Sequence, residues 1–135
     1  MRKKSKRTVR PIAKPLTPKQ RADILTAPRL HLHMLLTQHY DIAYICSVAG
    51  VFNIAGILAL QLDRNDLQPY FEAAQEIILK LIEAKRTPTV AETPVLRDGF
   101  NLADEWISIQ NTADLTKAIM YSDREGALGN TIQRC

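Results

Sequence analysis

From Ile42 to Leu62 the chain carries no charged residue. A stretch of that length is on the order of what spans a bilayer, roughly 20 residues. The same pattern belongs to a helix enclosed on all sides by others. Ser47, Asn53 and Gln61 add polar groups, and Gly50 and Gly56 sit among small residues. An amphipathic segment able to cover it follows at once, so the reading is a buried central helix, with a membrane span as the alternative. Either way the segment dictates a helical architecture: everything else must pack around it or flank it.

The small residues of this segment recur at helical spacing. Ala43, Ser47 and Gly50 form one stripe, and Ala49, Asn53 and Gly56 another. Small side chains let a second helix approach closely, from this chain or from a twin. Intrachain packing is the expectation, and a homodimer seam the alternative.

Around this helix the pattern stays helical. Thr17-Pro18 is a start signal, a capping hydroxyl before a proline in the first turn. A short helix through Leu25 is expected, closed by Pro28, which disfavours helical geometry in Ala27; Pro28 then opens a second, with Leu30 and Met34 inward. Asp41 caps the long apolar helix. A turn over residues 62–66, capped by Asn65 or Asp66, leads to an amphipathic helix from Leu67 to Lys85. There Phe71, Ala74, Ile78, Leu81 and Ile82 point inward, and Glu72, Glu76 and Glu83 outward. Glu76 and Lys80 have the spacing of a favourable ion pair. Pro88 and Pro94 predict a loop of about a dozen residues up to Gly99, long for a helix connection, with Val90 and Val95-Leu96 as short extended pieces. Helices over Asp98–Gln110 (core Phe100, Leu102, Ala103, Trp106, Ile109) and Ala113–Asp123 (core Leu115, Ala118, Ile119) complete the chain.

The expected fold is therefore all-α: a small helical bundle with a central buried apolar helix and a disordered basic N-terminal arm. Residues 1–16 form the arm, 17–125 a single helical domain, and 126–135 a flexible tail. At 135 residues there is room for one domain.

Charge is distributed unevenly. The formal net charge is +4, yet residues 1–21 hold Arg2, Lys3, Lys4, Lys6, Arg7, Arg10, Lys14, Lys19 and Arg21 and no acid. The remainder is net acidic. A basic arm gathers counterions that are released on meeting phosphate, giving sequence-independent, salt-sensitive affinity. These nine residues are the expected nucleic-acid-binding set, Arg2 to Arg10 as phosphate contacts and Lys14, Lys19 and Arg21 at the arm's base. Aromatics are 6% of the chain, too few for a base-stacking platform.

Other chemistries find little footing. His31 and His33 are two apart and so on different helix faces, which fails the spacing of a helical metal pair; no metal site is expected. Cys46 lies among Ile45, Val48 and Ala49, the setting of an inert core thiol, and Cys135 is distant, so there is no disulfide framework and a cytoplasmic setting is expected. Pro11 to Pro15 interrupt the place where a secretory signal would put an apolar run. No glycine-rich phosphate loop or serine elbow is present, so neither cofactor nor catalytic set is expected and the chain reads as a non-enzyme. Asp98–Gln110 and Ala113–Asp123 have helix-turn-helix order, but a recognition helix opening on Ala113 and Asp114 lacks base-reading side chains, and Asn111 and Thr112 at the break are explained by capping.

Five features carry a resemblance: the run Ser47-Val48-Ala49-Gly50-Val51-Phe52-Asn53-Ile54-Ala55, the Ala73-Ala74-Gln75 helix, the turns Lys85-Arg86-Thr87 and Asp98-Gly99, and the closing Thr112 to Ala118 helix. Over residues 40–120 the chain resembles small proteobacterial proteins found around prophages and plasmids, labelled Fis-type transcriptional regulators. The basic C-terminal helix-turn-helix that would justify that label is missing here. The resemblance implies a mobile-element accessory protein rather than a metabolic enzyme; the basic arm makes nucleic acid its expected partner, and the acidic body makes an inhibitor or adaptor of a host defence or transcription complex the alternative.

Overall fold

The computed structural model describes residues 14–127, so the proposed arm contacts Arg2, Lys3, Lys4, Lys6, Arg7 and Arg10 lie outside the described residues. Five helices follow in order: α1 (Pro18–Leu36), α2 (Ile42–Gln61), α3 (Gln68–Ala84), α4 (Glu92–Ser108) and α5 (Thr112–Ala127). Among the described residues the extended pairing is a single isolated bridge, Pro15 with Asn111. The fold is all-α, a helical bundle.

Thr17 opens α1 through a capping box: its hydroxyl accepts from the Gln20 N–H, and the Gln20 side chain accepts from the Thr17 N–H. The helix then runs through Pro28, where two helices were expected. A proline in mid-helix costs one backbone hydrogen bond and typically about 3 kcal/mol. Pro28 is itself buried, on the same face as Leu25, Leu32 and Leu35. Burial of that continuous apolar face offsets the local penalty, so packing overrides the breaker.

Asp41 caps α2 as expected, its carboxylate accepting from the Ala43 N–H at 2.9 Å. At the next turn the expected cap fails. Leu67 precedes α3 without any side-chain cap bond. Asp66 instead takes both Nε and Nη2 of Arg64, each at 3.0 Å, so the carboxylate fastens the turn from outside. The C-terminus of α3 is closed by Lys85 in the left-handed conformation, φ 53°.

The loop expected up to Gly99 is much shorter, because α4 begins at Glu92. Two local devices start it early. Thr89 and Glu92 exchange hydrogen bonds, Thr89 N–H to the carboxylate and Glu92 N–H to the hydroxyl, the reciprocal pattern of a capping box. Pro94 falls in the first turn, where the backbone N–H it lacks would have no helical partner. Val90, expected to pin a loop to the body, is 93% exposed, and Leu96 is buried from within the helix. Farther along α4, Ile109 is 72% exposed and Ile107 takes the core place expected for it.

α2 contacts each of the other four helices and buries Ile45, Val48, Ala49, Val51, Phe52, Ala55, Leu58 and Ala59. It is the one helix among the described residues long and apolar enough to cross a membrane, and here it is the hub of the bundle. Phe52 meets Phe71 of α3 at 6.4 Å between ring centroids and Phe100 of α4 edge-on at 6.2 Å. Gly99 lets α4 come close: a Cβ there would lie 3.4 Å from both Ala74 and Phe52. Trp106 donates its indole N–H to the Ala55 carbonyl at 3.1 Å, tying α4 to the middle of α2. The Asn53 and Gly56 stripe packs against α3, through Gln75 to Asn53 (2.6 Å) and Gln68 to the Gly56 carbonyl (2.9 Å). The other stripe is left open: Ala43 is exposed, and nothing lies within 4 Å of a Cβ built on Gly50.

Candidate functional site

The described part of the basic segment begins where it meets the bundle. The Lys14 carbonyl accepts from the Thr112 N–H at 2.9 Å, and Pro15 bridges Asn111 beside it. Asn111 in turn caps α5, accepting from the Asp114 N–H at 2.8 Å, as its position at the break predicts. Lys14 and Pro15 thus sit at the corner where α4 gives way to α5, just before α1 starts. The Lys14 side chain is exposed.

The two remaining basic residues of the segment part company. Lys19 reaches Asp23 one turn along at 3.0 Å, both side chains well exposed, a pair worth a few tenths of a kcal/mol. Arg21 lies two residues on, hence on another face, and points across to α4. Its Nη2 donates to Asp104 at 3.0 Å and its Nε to the Ser108 hydroxyl at 2.6 Å. Arg29, two turns farther along α1, donates through Nη2 to the other oxygen of Asp104 at 2.6 Å and to Asn101 at 3.2 Å. Its guanidinium also sits 4.8 Å above the centre of the Phe100 ring, within reach of a cation–π interaction.

Asp104 therefore sits under two arginines. The residue is only 8% exposed. Burial by itself would push its carboxyl up, yet the bonds from Arg29, Ser108 and Arg21 outweigh burial and hold it below the ordinary carboxylate value. Its neighbour Glu105 is exposed, whereas Asp104 is turned inward. Arg29 was not singled out at all. The signal was available: Asp104 and Ser108 are spaced four apart on the face adjoining the buried stripe, where an unpaired carboxylate would be costly.

A second ion pair closes the opposite end of the fold. Arg86 grips Glu92 through two bonds, 2.7 and 3.0 Å, which bring the Glu92 carboxyl down to about 2. By contrast, Glu72, Glu76 and Glu83 are exposed on α3. The expected Glu76–Lys80 bridge is not formed, and none of the three carboxylates makes an ion pair among the described residues.

The histidines serve the fold locally. His31 stacks on Tyr44 at 5.0 Å, joining α1 to α2, and His39 meets the Thr37 hydroxyl at 3.1 Å. Among the described residues no group of three potential ligands is placed to hold a metal ion. Cys46 is half-buried on α2 and its sulfur is not free, which departs from the inert core thiol expected. A shallow apolar depression lined by Tyr40, Ile42, Ile82 and Lys85 lies between the start of α2 and the end of α3.

Comparison of the chain with family models, with curated proteins and with solved structures returns no match.

Proposed function

We propose that this is a small helical nucleic-acid-binding protein, of the accessory or regulatory kind carried by phages and plasmids, whose basic N-terminal residues hold phosphates without reading sequence. The observation that carries the reading is the charge pattern: nine Lys or Arg and no acid in residues 1–21. What supports it in the fold is the root of that segment. The Lys14 carbonyl accepts from the Thr112 N–H and Pro15 bridges Asn111, so the described start of that segment lies at the junction of α4 and α5. Phosphate contacts from such a segment position the protein and leave base identity unread.

The test is binding of labelled duplex DNA, single-stranded DNA and RNA over a series of salt concentrations. It compares the full chain with a variant carrying alanine at Arg2, Lys3, Lys4, Lys6, Arg7 and Arg10. Each phosphate neutralised contributes about 0.9 to the slope of log affinity against log salt on B-DNA. The alanine variant is expected to bind far more weakly with a much flatter slope; an unchanged slope ends the reading.

A second reading has its own observation. Glu72, Glu76 and Glu83 are exposed along α3 and form no ion pair among the described residues, which suits a basic groove on a protein partner of a host defence or transcription complex. Charge reversal at these three positions would abolish capture of such a partner and leave nucleic-acid binding intact.

A further inference from the structure

Two arginines of α1 share one carboxylate of α4, and this is more positive charge than the fold needs to neutralise Asp104. Lys19 and Asp23 cancel on another face of α1, and Arg64 and Asp66, and Arg86 and Glu92, cancel one to one. The α1–α4 seam is different: Arg21 and Arg29 together exceed Asp104 by one charge. Both guanidiniums remain about half exposed, at 53% and 49%, while the carboxylate beneath them is 12% exposed. The described bonds use Nε and Nη2 of Arg21 and only Nη2 of Arg29. Among the described residues, Nη1 of Arg21, and Nε and Nη1 of Arg29, have no acceptor.

A guanidinium held on one edge by a buried carboxylate is oriented before any ligand arrives, and its free edge matches phosphate oxygens. The remaining polar groups of the seam suit such a ligand: Asn101 and Ser108 on α4, with Arg97 one turn before Asn101 on the same side of the helix. Arg97 is exposed and only loosely paired with Asp98, at 3.8 Å. The acidic neighbours are Asp98, next to Arg97, and Glu105, one turn after Asn101 on that same side of α4, both exposed. The seam also starts where the basic segment is rooted, since Ser108, bonded to Arg21, lies just before Asn111 and Thr112, which hold Pro15 and Lys14.

The geometry points to Arg21 and Arg29, oriented by Asp104, as a phosphate-receiving pair on the folded body, over which a nucleic-acid backbone continues after leaving the N-terminal basic residues. This rests on the nucleic-acid reading above and adds to it a fixed docking direction along α1 and α4. In this arrangement Asp104 is a positioning residue, and the two arginines make the contact.

The test uses the full chain with duplex DNA and duplex RNA of one mixed sequence, which separates the two sources of the same phosphodiester backbone. Replacing both residues, Arg21→Gln with Arg29→Gln, is expected to flatten the salt slope by about two, one for each lost contact. Arg21→Lys with Arg29→Lys keeps the charges and most of the slope. Helical circular dichroism and the melting temperature are followed for every variant. A folded glutamine variant with the wild-type slope on both duplexes overturns the proposal and assigns the arginines to the fold only.

Arginine-directed chemical modification of the wild-type protein, read residue by residue by mass spectrometry, needs no variant. Bound duplex is expected to protect Arg21 and Arg29 and leave Arg86 reactive; equal reactivity of Arg21 and Arg29 with and without duplex overturns the proposal. If the wild-type chain binds neither duplex at low salt, this proposal and the nucleic-acid reading fail together. If binding depends on Arg2 to Arg10 and ignores Arg21 and Arg29, only this proposal fails.

Discussion

Glu92 shows how one side chain can serve two structural purposes. Its carboxylate receives Arg86 across the α3–α4 connection and the Thr89 N–H at the start of α4. Those bonds favour the ionised form only in the folded chain, which lowers its pKa from 4.5 to about 2. A group depressed on folding stabilises fully above its unfolded value, and that stabilisation is lost as pH falls through the folded value. Stability should therefore decline between about pH 4.5 and pH 2, and Glu92→Gln should make the decline shallower in urea titrations at stepped pH. Asp104 is depressed in the same direction and will contribute to the slope that remains. Neither residue stood out in the sequence as a buried anchor. Thr89 and Glu92 do carry the capping-box spacing, but Pro88 and Pro94 on either side of them are equally the signature of a loop.

The helices divide according to where their ends are decided. Thr17, Asp41 and Asn111 cap α1, α2 and α5 through bonds to their own neighbours, and each was legible because the whole device fits within four residues. Pro28 and the start of α4 were misjudged for the opposite reason. Whether a proline ends a helix depends on whether the buried face beyond it outweighs one lost hydrogen bond, and that face is completed by other elements. Gly50 offers a clean measurement at this scale. It lies in the interior of α2 with open space beside it, so Gly50→Ala should raise stability by about 0.5–1 kcal/mol through helix propensity. Gly99→Val should do the reverse, because side-chain atoms beyond Cβ would meet Phe52 and Ala74. Thermal or urea unfolding of the two variants checks both signs. A fall in stability for Gly50→Ala would mean that the open stripe is covered by something the single chain does not show.

At the scale of the molecule, α2 holds the domain together. Phe52 is 0% exposed and touches the layers contributed by α3 and α4 through Phe71, Phe100 and Gly99. Phe52→Ala should cost about 3–5 kcal/mol, a large share of the roughly 5–15 kcal/mol that holds a domain of this class. The expected outcome is a sharply lowered urea midpoint, or a chain recovered only partly folded. Phe52→Leu, which conserves most of the volume, should cost much less. A midpoint unchanged by the alanine substitution would contradict the packing described.

Helical class, the central position of the uncharged segment and the separation of a basic N-terminal stretch from an acidic remainder were all determined by the sequence itself. Each follows from periodicity, length or charge along the chain, which are local quantities. Tertiary structure decided which charges are spent on the fold and which remain available. Lys19 and Arg21 are equivalent in a charge count, yet one pairs with its own helix and the other crosses to a buried carboxylate 83 residues away. That choice depends on helix phase and on which neighbour lies across the seam. Neither is set until the other four helices have closed around α2 and the cost of burying Asp104 must be met by partners from another element.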